Sequence, residues 1–408
     1  MKCGLLGRKL GHSYSPQIHA CLGSYDYTLF EKEPEELEAF LKDGDFTGIN
    51  VTIPYKKAVI PYLSELSPRA RALGAVNTIV RRPDGSLIGH NTDFFGFEMM
   101  IRRSGISAAG KKALVLGSGG ASNTAAAVLE ELGARIVVVS RSGENNYENI
   151  HLHSDAALIV NATPVGMFPD TGVSPVDLRL FPHLEGVLDL IYNPARTKLL
   201  QDAQSRGITA MNGLLMLVAQ AKEAAEWFTG GSISDSVIDT IHQRLSGQMQ
   251  NIVLIGMPGC GKSTIGALLA EKTGRRFVDA DETIVSLAGM SIPEIFAKDG
   301  EETFRRWETE ALKQLGNRSG LVIATGGGCI TREWNYPLLH QNGIIFWLKR
   351  ELSCLPTDGR PLSQTNSLTD LYAARQPLYL AFSDHVIDNN GSCLDTVQSI
   401  LSILEGTK

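Results

Sequence analysis

The stretch IVLI-GMPGCGKST-IGALLAE, residues 252–271, decides the fold of the C-terminal part of this chain. Four apolar residues read as a buried strand, and a glycine-rich turn follows at once. The run after it, Ile265–Glu271, has helical character. The turn fits G-x-x-x-x-G-K-[ST] from Gly256 to Ser263, and its chemistry depends on that setting. Glycines let successive backbone N–H groups wrap a phosphate, and the positive end of the following helix favours the same negative charge. Lys262 brings a mobile point charge to the β- and γ-phosphates, and the Ser263 hydroxyl suits Mg²⁺. Gly259, Cys260, Gly261, Lys262, Ser263 and Thr264 are therefore expected to bind a nucleoside triphosphate. A chance glycine-rich turn would lack the strand and helix on either side.

Working outward, short apolar runs alternate with helical patterns along the whole chain, which is the signature of α/β architecture with mostly parallel sheets. Strands are expected at Ala113–Leu116, Ile136–Ser140, Leu158–Asn161, Gly186–Leu190, Ile252–Ile255, Leu321–Ala324 and Ile344–Leu348. A helical stretch, Leu214–Leu245, precedes the polar SGQMQ at Ser246–Gln250, read as a linker. The expected division is residues 1–98 plus 211–245 as one lobe, 99–210 as a second, 246–250 as the linker, and 251–408 as the P-loop unit.

Bulk properties exclude several classes. With 408 residues, 43% of them hydrophobic, the chain can fill two or three cores. A net charge of −6 gives no electrostatic case for nucleic acid or an anionic membrane. No apolar run reaches the length of a membrane span or a signal peptide. The six cysteines are scattered without a CxxC pair, which fits free thiols in the cytoplasm. Oligomeric state leaves no signal in the sequence.

The residues after the P-loop narrow its partner. FVDAD at Phe277–Asp281 puts two carboxylates two residues apart at a strand end, near the phosphates. One can hold a metal-bound water while the other meets an acceptor hydroxyl. GEETFRRWE (Gly300–Glu308), TGGG (Thr325–Gly328), DGRPL (Asp358–Leu362) and R-x-P-x-Y (Arg375–Tyr379) follow in order. Residues 250 to 408 resemble the shikimate kinase family, whose order of motifs this is. The resemblance implies Mg²⁺ near Asp279 and Ser263, and Asp281 as the catalytic carboxylate on shikimate hydroxyls, with Lys262 beside it in catalysis. It further implies that Arg305 and Arg375 grip the substrate carboxylate, that Gly326, Gly327 and Gly328 approach the substrate through the backbone, and that Arg360 closes over ATP. Arginine forks suit a carboxylate, and phosphoryl transfer needs mostly positioning and neutralised charge. One departure is plain: ELSCLPTDG before Arg360 is short and lacks the basic residue the family often stacks on adenine, leaving Lys349 or Arg350 as substitutes.

In the N-terminal part, the strand Ala113–Leu116 runs into GSGGAS (Gly117–Ser122), then a helix and a second strand, a βαβ unit of dinucleotide-binding kind. The second strand ends in Ser140-Arg141-Ser142 where an NAD site usually places an acid. Arg141 can meet a 2′-phosphate, so NADP is favoured, while Glu144 leaves room for NAD. Further motifs are GHSYSPQIHA (Gly11–Ala20), GINVTIPYK (Gly48–Lys56), GAVNT (Gly74–Thr78), HNTDFFG (His90–Gly96), NATPVGM (Asn161–Met167), D-x-x-Y-x-P (Asp189–Pro194) and NGLLMLVAQ (Asn212–Gln220). Together they resemble the shikimate dehydrogenase family over residues 1 to 245. The resemblance implies a two-lobed enzyme with a Rossmann NADP-binding lobe, joined here to a P-loop NTPase-type kinase with a parallel sheet. It implies that Ser13, Ser15 and Tyr192 hold the carboxylate, and that Thr52, Asn77, Asp93 and Gln220 hold the ring hydroxyls. Lys56 and Asp93 match the catalytic pair, and a lysine beside an aspartate can give a proton to a developing alkoxide. Gly117, Gly119, Gly120, Ala121, Arg141, Asn161, Thr163, Met167 and Gly213 are expected on NADP(H).

The joint expectation is reduction of 3-dehydroshikimate to shikimate and its phosphorylation to shikimate 3-phosphate. Rival readings are a quinate/shikimate dehydrogenase preferring NAD and a regulatory protein that senses shikimate. A serine hydrolase using His12 lacks a G-x-S-x-G elbow. As isolated residues, Lys56 could be a solvated charge and Asp93 a helix cap.

Overall fold

The computed structural model of the chain describes residues 1–11, 13–355 and 368–406. Arg360 and His12, both singled out from the sequence, lie outside the described residues.

Three sheets carry the described residues. The first comprises β1 (Lys2–Gly7), β2 (Asp26–Glu31), β3 (Gly48–Val51), β4 (Glu65–Leu66), β5 (Thr78–Arg81) and β6 (Leu87–His90), in the order β2-β1-β3-β5-β6-β4. It is mixed: β3, β5 and β6 pair antiparallel, and the other pairs are parallel. The second comprises β7 (Lys112–Leu116), β8 (Arg135–Val139), β9 (Leu158–Asn161), β10 (Gly186–Asp189) and β11 (Thr209–Asn212), all parallel, in the order β11-β10-β9-β7-β8. The third comprises β12 (Asn251–Ile255), β13 (Arg276–Asp279), β14 (Leu321–Ala324), β15 (Gly343–Lys349) and β16 (His385–Asp388), also all parallel, in the order β13-β14-β12-β15-β16. Strand order reverses beside β7 and beside β12, the places where open parallel sheets receive ligands. Both glycine-rich turns stand there.

The sequence explains why these strands are central. A strand covered on both faces reads as a continuous apolar run, and all five residues of β12 are buried. Ile252, Val253, Leu254 and Ile255 share one core with Val322, Ile345 and Phe346. Each such side chain contributes roughly 1.5–3 kcal/mol on burial.

By contacts the chain divides into two compact units, one of residues 1–166, 173–192 and 199–243, the other of 167–172, 193–198 and 244–408. This differs from the expected division, because the two N-terminal sheets fall into one unit and Met167 falls outside it. Two further expectations are corrected. The helical stretch from Leu214 stops at Thr229, where Gly230 takes φ 67° and caps the helix in the left-handed region. The expected linker Ser246–Gln250 is helical through Met249, the end of the helix Ser236–Met249.

Within the first unit, the helices Asp93–Ser104 and Leu214–Thr229 pack together closely. Gly96 permits this: a Cβ there would lie 2.7 Å from the Met216 carbonyl oxygen. The same helix pair buries a carboxyl whose cost can be measured. Burial pushes Glu223 up to about 7, with Arg69, at 3.9 Å, pulling it partly back. Its Oε2 is buried without a hydrogen-bond partner among the described residues. In the unfolded chain this carboxyl titrates near 4.5, so folding is favoured by its proton below that pH and loses that support as pH rises toward 7. Glu223→Gln is therefore expected to be more stable than the parent by on the order of 2 kcal/mol more at pH 8 than at pH 5. Urea unfolding followed by circular dichroism measures it, and an equal gain at both pH values would remove the burial argument.

Candidate active sites

The P-loop turns sharply off β12. Gly256 has φ 148°, and a Cβ on it would stand 2.8 Å from the Leu348 carbonyl oxygen of β15, so glycine is required by both conformation and space. The helix Lys262–Thr273 starts directly after the loop. Lys262 is only 8% exposed, and its Nζ donates to the carbonyls of Gly256 and Met257 at 2.9 and 3.0 Å. Cys260 is wholly buried beneath the loop, so it offers a ligand its backbone alone.

Beside the P-loop, Ser263 Oγ donates to Asp279 Oδ2 at 2.8 Å. Asp279 caps the helix Ala280–Ala288 by accepting the Asp281 N–H through Oδ1, which holds the two carboxylates in fixed relation. A hydroxyl and a carboxylate brought together at a phosphate loop fit Mg²⁺, which takes few protein oxygens and completes its shell from phosphates and water. Arg305 is buried and pairs with Glu308 at 2.9 Å and Glu301 at 3.0 Å. Its guanidinium lies over Gly328, where a Cβ would come within 2.4 Å. Arg375 Nη1 donates to the Gly327 carbonyl at 3.1 Å, and Tyr379 donates to the same oxygen. Lys262, Ser263, Asp279, Arg305, Glu308, Gly327, Gly328 and Arg375 line one cavity of about 500 Å³ together with Gly259, Gly261, Thr264, Gly326 and Asp281.

Glu308, quoted from the sequence without a role, belongs to this site. It is 1% exposed, and its Oε1 has no partner among the described residues and faces Gly326. Burial pushes the carboxyl up, and the Arg305 guanidinium pulls it part of the way back. The repeated E-x-x-F-R-x-x-E spacing was the available signal, since positions three apart share a helix face.

In the first unit, Lys56 Nζ donates to Asp93 Oδ2 at 2.5 Å, with the side chains 23% and 12% exposed. Asp93 opens the helix Asp93–Ser104, where the helix dipole supports its charge. Asn77 is fixed by Thr92, whose N–H donates to Asn77 Oδ1 at 2.7 Å, and Asn77 Nδ2 donates to Gln220 Oε1 at 3.5 Å. A cavity of about 310 Å³ is lined by Ser13, Ser15, Thr52, Lys56, Asn77, Asp93, Tyr192 and Gln220, joined by Ala121 and Gly213. The structure thus brings every residue expected on the substrate to one place.

The remaining cofactor residues stand apart from that cavity. Gly117 N–H donates to the Val139 carbonyl at 2.8 Å, which sets the turn beside the end of β8 and Arg141 two residues on. Arg141 is exposed and forms no ion pair among the described residues. Gly119 and Gly120 have open space where a Cβ would sit, at the start of the helix Gly120–Glu131, a cradle that fits a pyrophosphate. Met167 is 45% exposed and lines neither cavity.

Asp189 and Asn50 are the residues missed here. Asp189 is fully buried at the end of β10 and accepts from Asn161 Nδ2 at 3.0 Å and from the Ile191 N–H at 3.1 Å. Asn161 in turn accepts the Thr163 hydroxyl at 2.6 Å. One carboxylate therefore fixes both the Asn161–Thr163 loop and the turn that carries Tyr192. Asn50 lines the substrate cavity, accepts from Tyr27 at 2.7 Å and donates to Thr78 at 3.1 Å.

The chain is similar to known proteins along both of its parts. Residues 258–405 match the family model for shikimate kinase, and residues 5–79 match that for the shikimate dehydrogenase substrate binding domain. The chain is 37% identical over 265 residues to shikimate dehydrogenase (NADP(+)) of Clostridium perfringens, an alignment covering 59% of this chain and 97% of that protein. The crystal structure of shikimate dehydrogenase 1 from Peptoclostridium difficile superposes with a TM-score of 0.56 at 38% identity, over 60% of this chain and 97% of that one. Quinate dehydrogenase from Corynebacterium glutamicum, solved with NAD, superposes with a TM-score of 0.54 at 29% identity, over 59% and 98%. The chain therefore belongs to the shikimate dehydrogenase family along its N-terminal part and carries a shikimate kinase domain in its C-terminal part.

Proposed function

We propose that this chain performs two consecutive reactions on one ring. The first unit reduces the C3 ketone of 3-dehydroshikimate to shikimate with NADPH, and the kinase domain moves the γ-phosphoryl group of ATP to that same C3 hydroxyl. The observation that carries this reading is the joining of the Lys56–Asp93 pair with Ser13, Ser15, Thr52, Asn77 and Gln220 around one cavity, while Lys262, Asp281, Arg305 and Arg375 line another.

In the first site NADPH supplies the hydride. The turn from Gly117 to Ala121, with Asn161, Thr163 and Gly213, would hold it, and Arg141 would meet its 2′-phosphate. Lys56 gives a proton to the alkoxide that develops at C3, and Asp93 accepts from the neighbouring hydroxyl and keeps the ammonium in place. Ser13, Ser15 and Tyr192 take the acid group, and Thr52, Asn77 and Gln220 take the ring hydroxyls.

In the second site Ser263 and Asp279 would hold Mg²⁺, which neutralises phosphate charge when bound. Asp281 accepts the C3 hydroxyl proton as that oxygen bonds to the γ-phosphorus and the bond to ADP breaks. Lys262 stabilises the charge that gathers on the phosphates. Arg305, held by Glu301 and Glu308, and Arg375 take the substrate carboxylate, with the backbone of Gly327 and Gly328 beside it. A cytoplasmic location is proposed on six free cysteines.

A coupled assay with 3-dehydroshikimate, NADPH and Mg·ATP should yield shikimate 3-phosphate, NADP⁺ and ADP in equal amounts. Quinate oxidation with NAD outpacing shikimate oxidation with NADP⁺ would overturn the first assignment. Shikimate left unphosphorylated would overturn the second.

A further inference from the structure

The adenine side of the kinase pocket is where the sequence departs from its family, and two cations at the end of β15 were open as substitutes. Strand geometry separates them. Alternate residues of a strand face opposite sides, so Lys349 shares a face with Trp347, and both line a shallow apolar depression with Gln376, Pro377 and Leu380. Arg350, the next residue, turns to the other side. Its Nη1 stands 3.8 Å from where a Cβ on Gly261 would be, directly against the P-loop.

Among the described residues, Arg350 is also held there without a partner of its own. The Lys349 carbonyl accepts the Asn389 N–H at 2.8 Å, and the Glu351 N–H donates to Asn390 Oδ1 at 2.8 Å, so the backbone on both sides of Arg350 is fixed. Its Nε is buried with no hydrogen-bond acceptor, and its guanidinium makes no ion pair among the described residues. Asn389 Nδ2, the other polar group against Gly261, is already donated to the Cys260 carbonyl. A half-buried guanidinium normally carries a carboxylate or a phosphate, because leaving its donors unmade is costly.

We propose that Arg350 is a nucleotide-binding residue of the kinase site, holding the α/β-phosphate end of ATP from the strand side of the P-loop. The proposal rests on the kinase reading above. It follows from the position: P-loop amides cradle the α- and β-phosphates, and Arg350 adds a fork of donors next to Gly261, one of the loop's own glycines. Arg350 thereby adds to the nucleotide affinity of the P-loop.

Arg350→Ala is expected to raise KM for ATP and Kd for ADP about tenfold or more, with KM for shikimate and the dehydrogenase rate unchanged. Arg350→Lys should recover most of the loss, since a phosphate accepts an ammonium, and Lys349→Ala should leave nucleotide binding as in the parent. The ATP-to-GTP preference should be the same in parent and Arg350→Ala. A Kd for ADP within twofold of the parent would overturn the proposal, as would a changed ATP-to-GTP ratio, which would place the contact on the base. A parallel rise in KM for shikimate would mean a distorted loop and would overturn it too. Absence of kinase activity in the parent would instead refute the kinase reading, and the two failures are distinct.

Discussion

Lys262→Met lowers shikimate phosphorylation by a factor on the order of 10³ or more and leaves NADPH-linked reduction at the parent rate. Losing one preorganised donor to the transition state typically costs about 10²–10³ in rate, and this lysine also binds the nucleotide it activates. The chain exposes only 8% of Lys262, and its ammonium is the donor to both the Gly256 and Met257 carbonyls. Methionine fills nearly the same volume but leaves those carbonyls unserved, at about 1–3 kcal/mol for each buried one. The variant should therefore also lower the unfolding midpoint of the kinase domain, and circular dichroism below that midpoint separates lost chemistry from lost fold. Phosphorylation within tenfold of the parent would show that Lys262 does not serve the transferred phosphate.

What could be read in advance was local. The strand–turn–helix around Gly256 was legible because glycine, charge and apolar run lie within twenty residues and each demands the next. The polar run Ser246–Gln250 misled for the opposite reason. Composition suggested a tether, yet Ile238, Ile241, Leu245 and Met249 are buried at helical spacing, so an apolar stripe passes straight through it. Gly230 ended the previous helix by a left-handed cap that periodicity alone did not register. In the sites, the substrate residues named by motif came together, whereas Asp189 and Glu308 were quoted without a role. Their meaning lies in partners on other elements or one helical turn away: Asp189 serves Asn161 across two strands, and Glu308 closes on Arg305 and faces Gly326. Arg350 was separable from Lys349 only by which face of β15 each side chain takes.

Lys56→Met should cut the rate of ketone reduction by a factor of about 10²–10⁴, the range for a positioned proton donor, while phosphorylation continues unchanged. The bland alternative is that Lys56 is one more solvated charge, like its exposed neighbour Lys57. Geometry argues otherwise, because Lys56 donates to Asp93 at 2.5 Å on the wall of the substrate cavity, and Lys57 does not line that cavity. Lys57→Met is thus the matched control and should keep the parent rate. The fold should survive the loss of Lys56, since Asp93 sits at a helix N-terminus that continues to favour its negative charge. The expected signature is a fall in kcat with KM for NADPH unchanged, because the lysine meets the ring and not the cofactor turn at Gly117–Ala121. A loss confined to KM for the acid would make Lys56 a binding group only. If phosphorylation fell in step, the two sites would not be independent, and one chain carrying two separate reactions would no longer describe this protein.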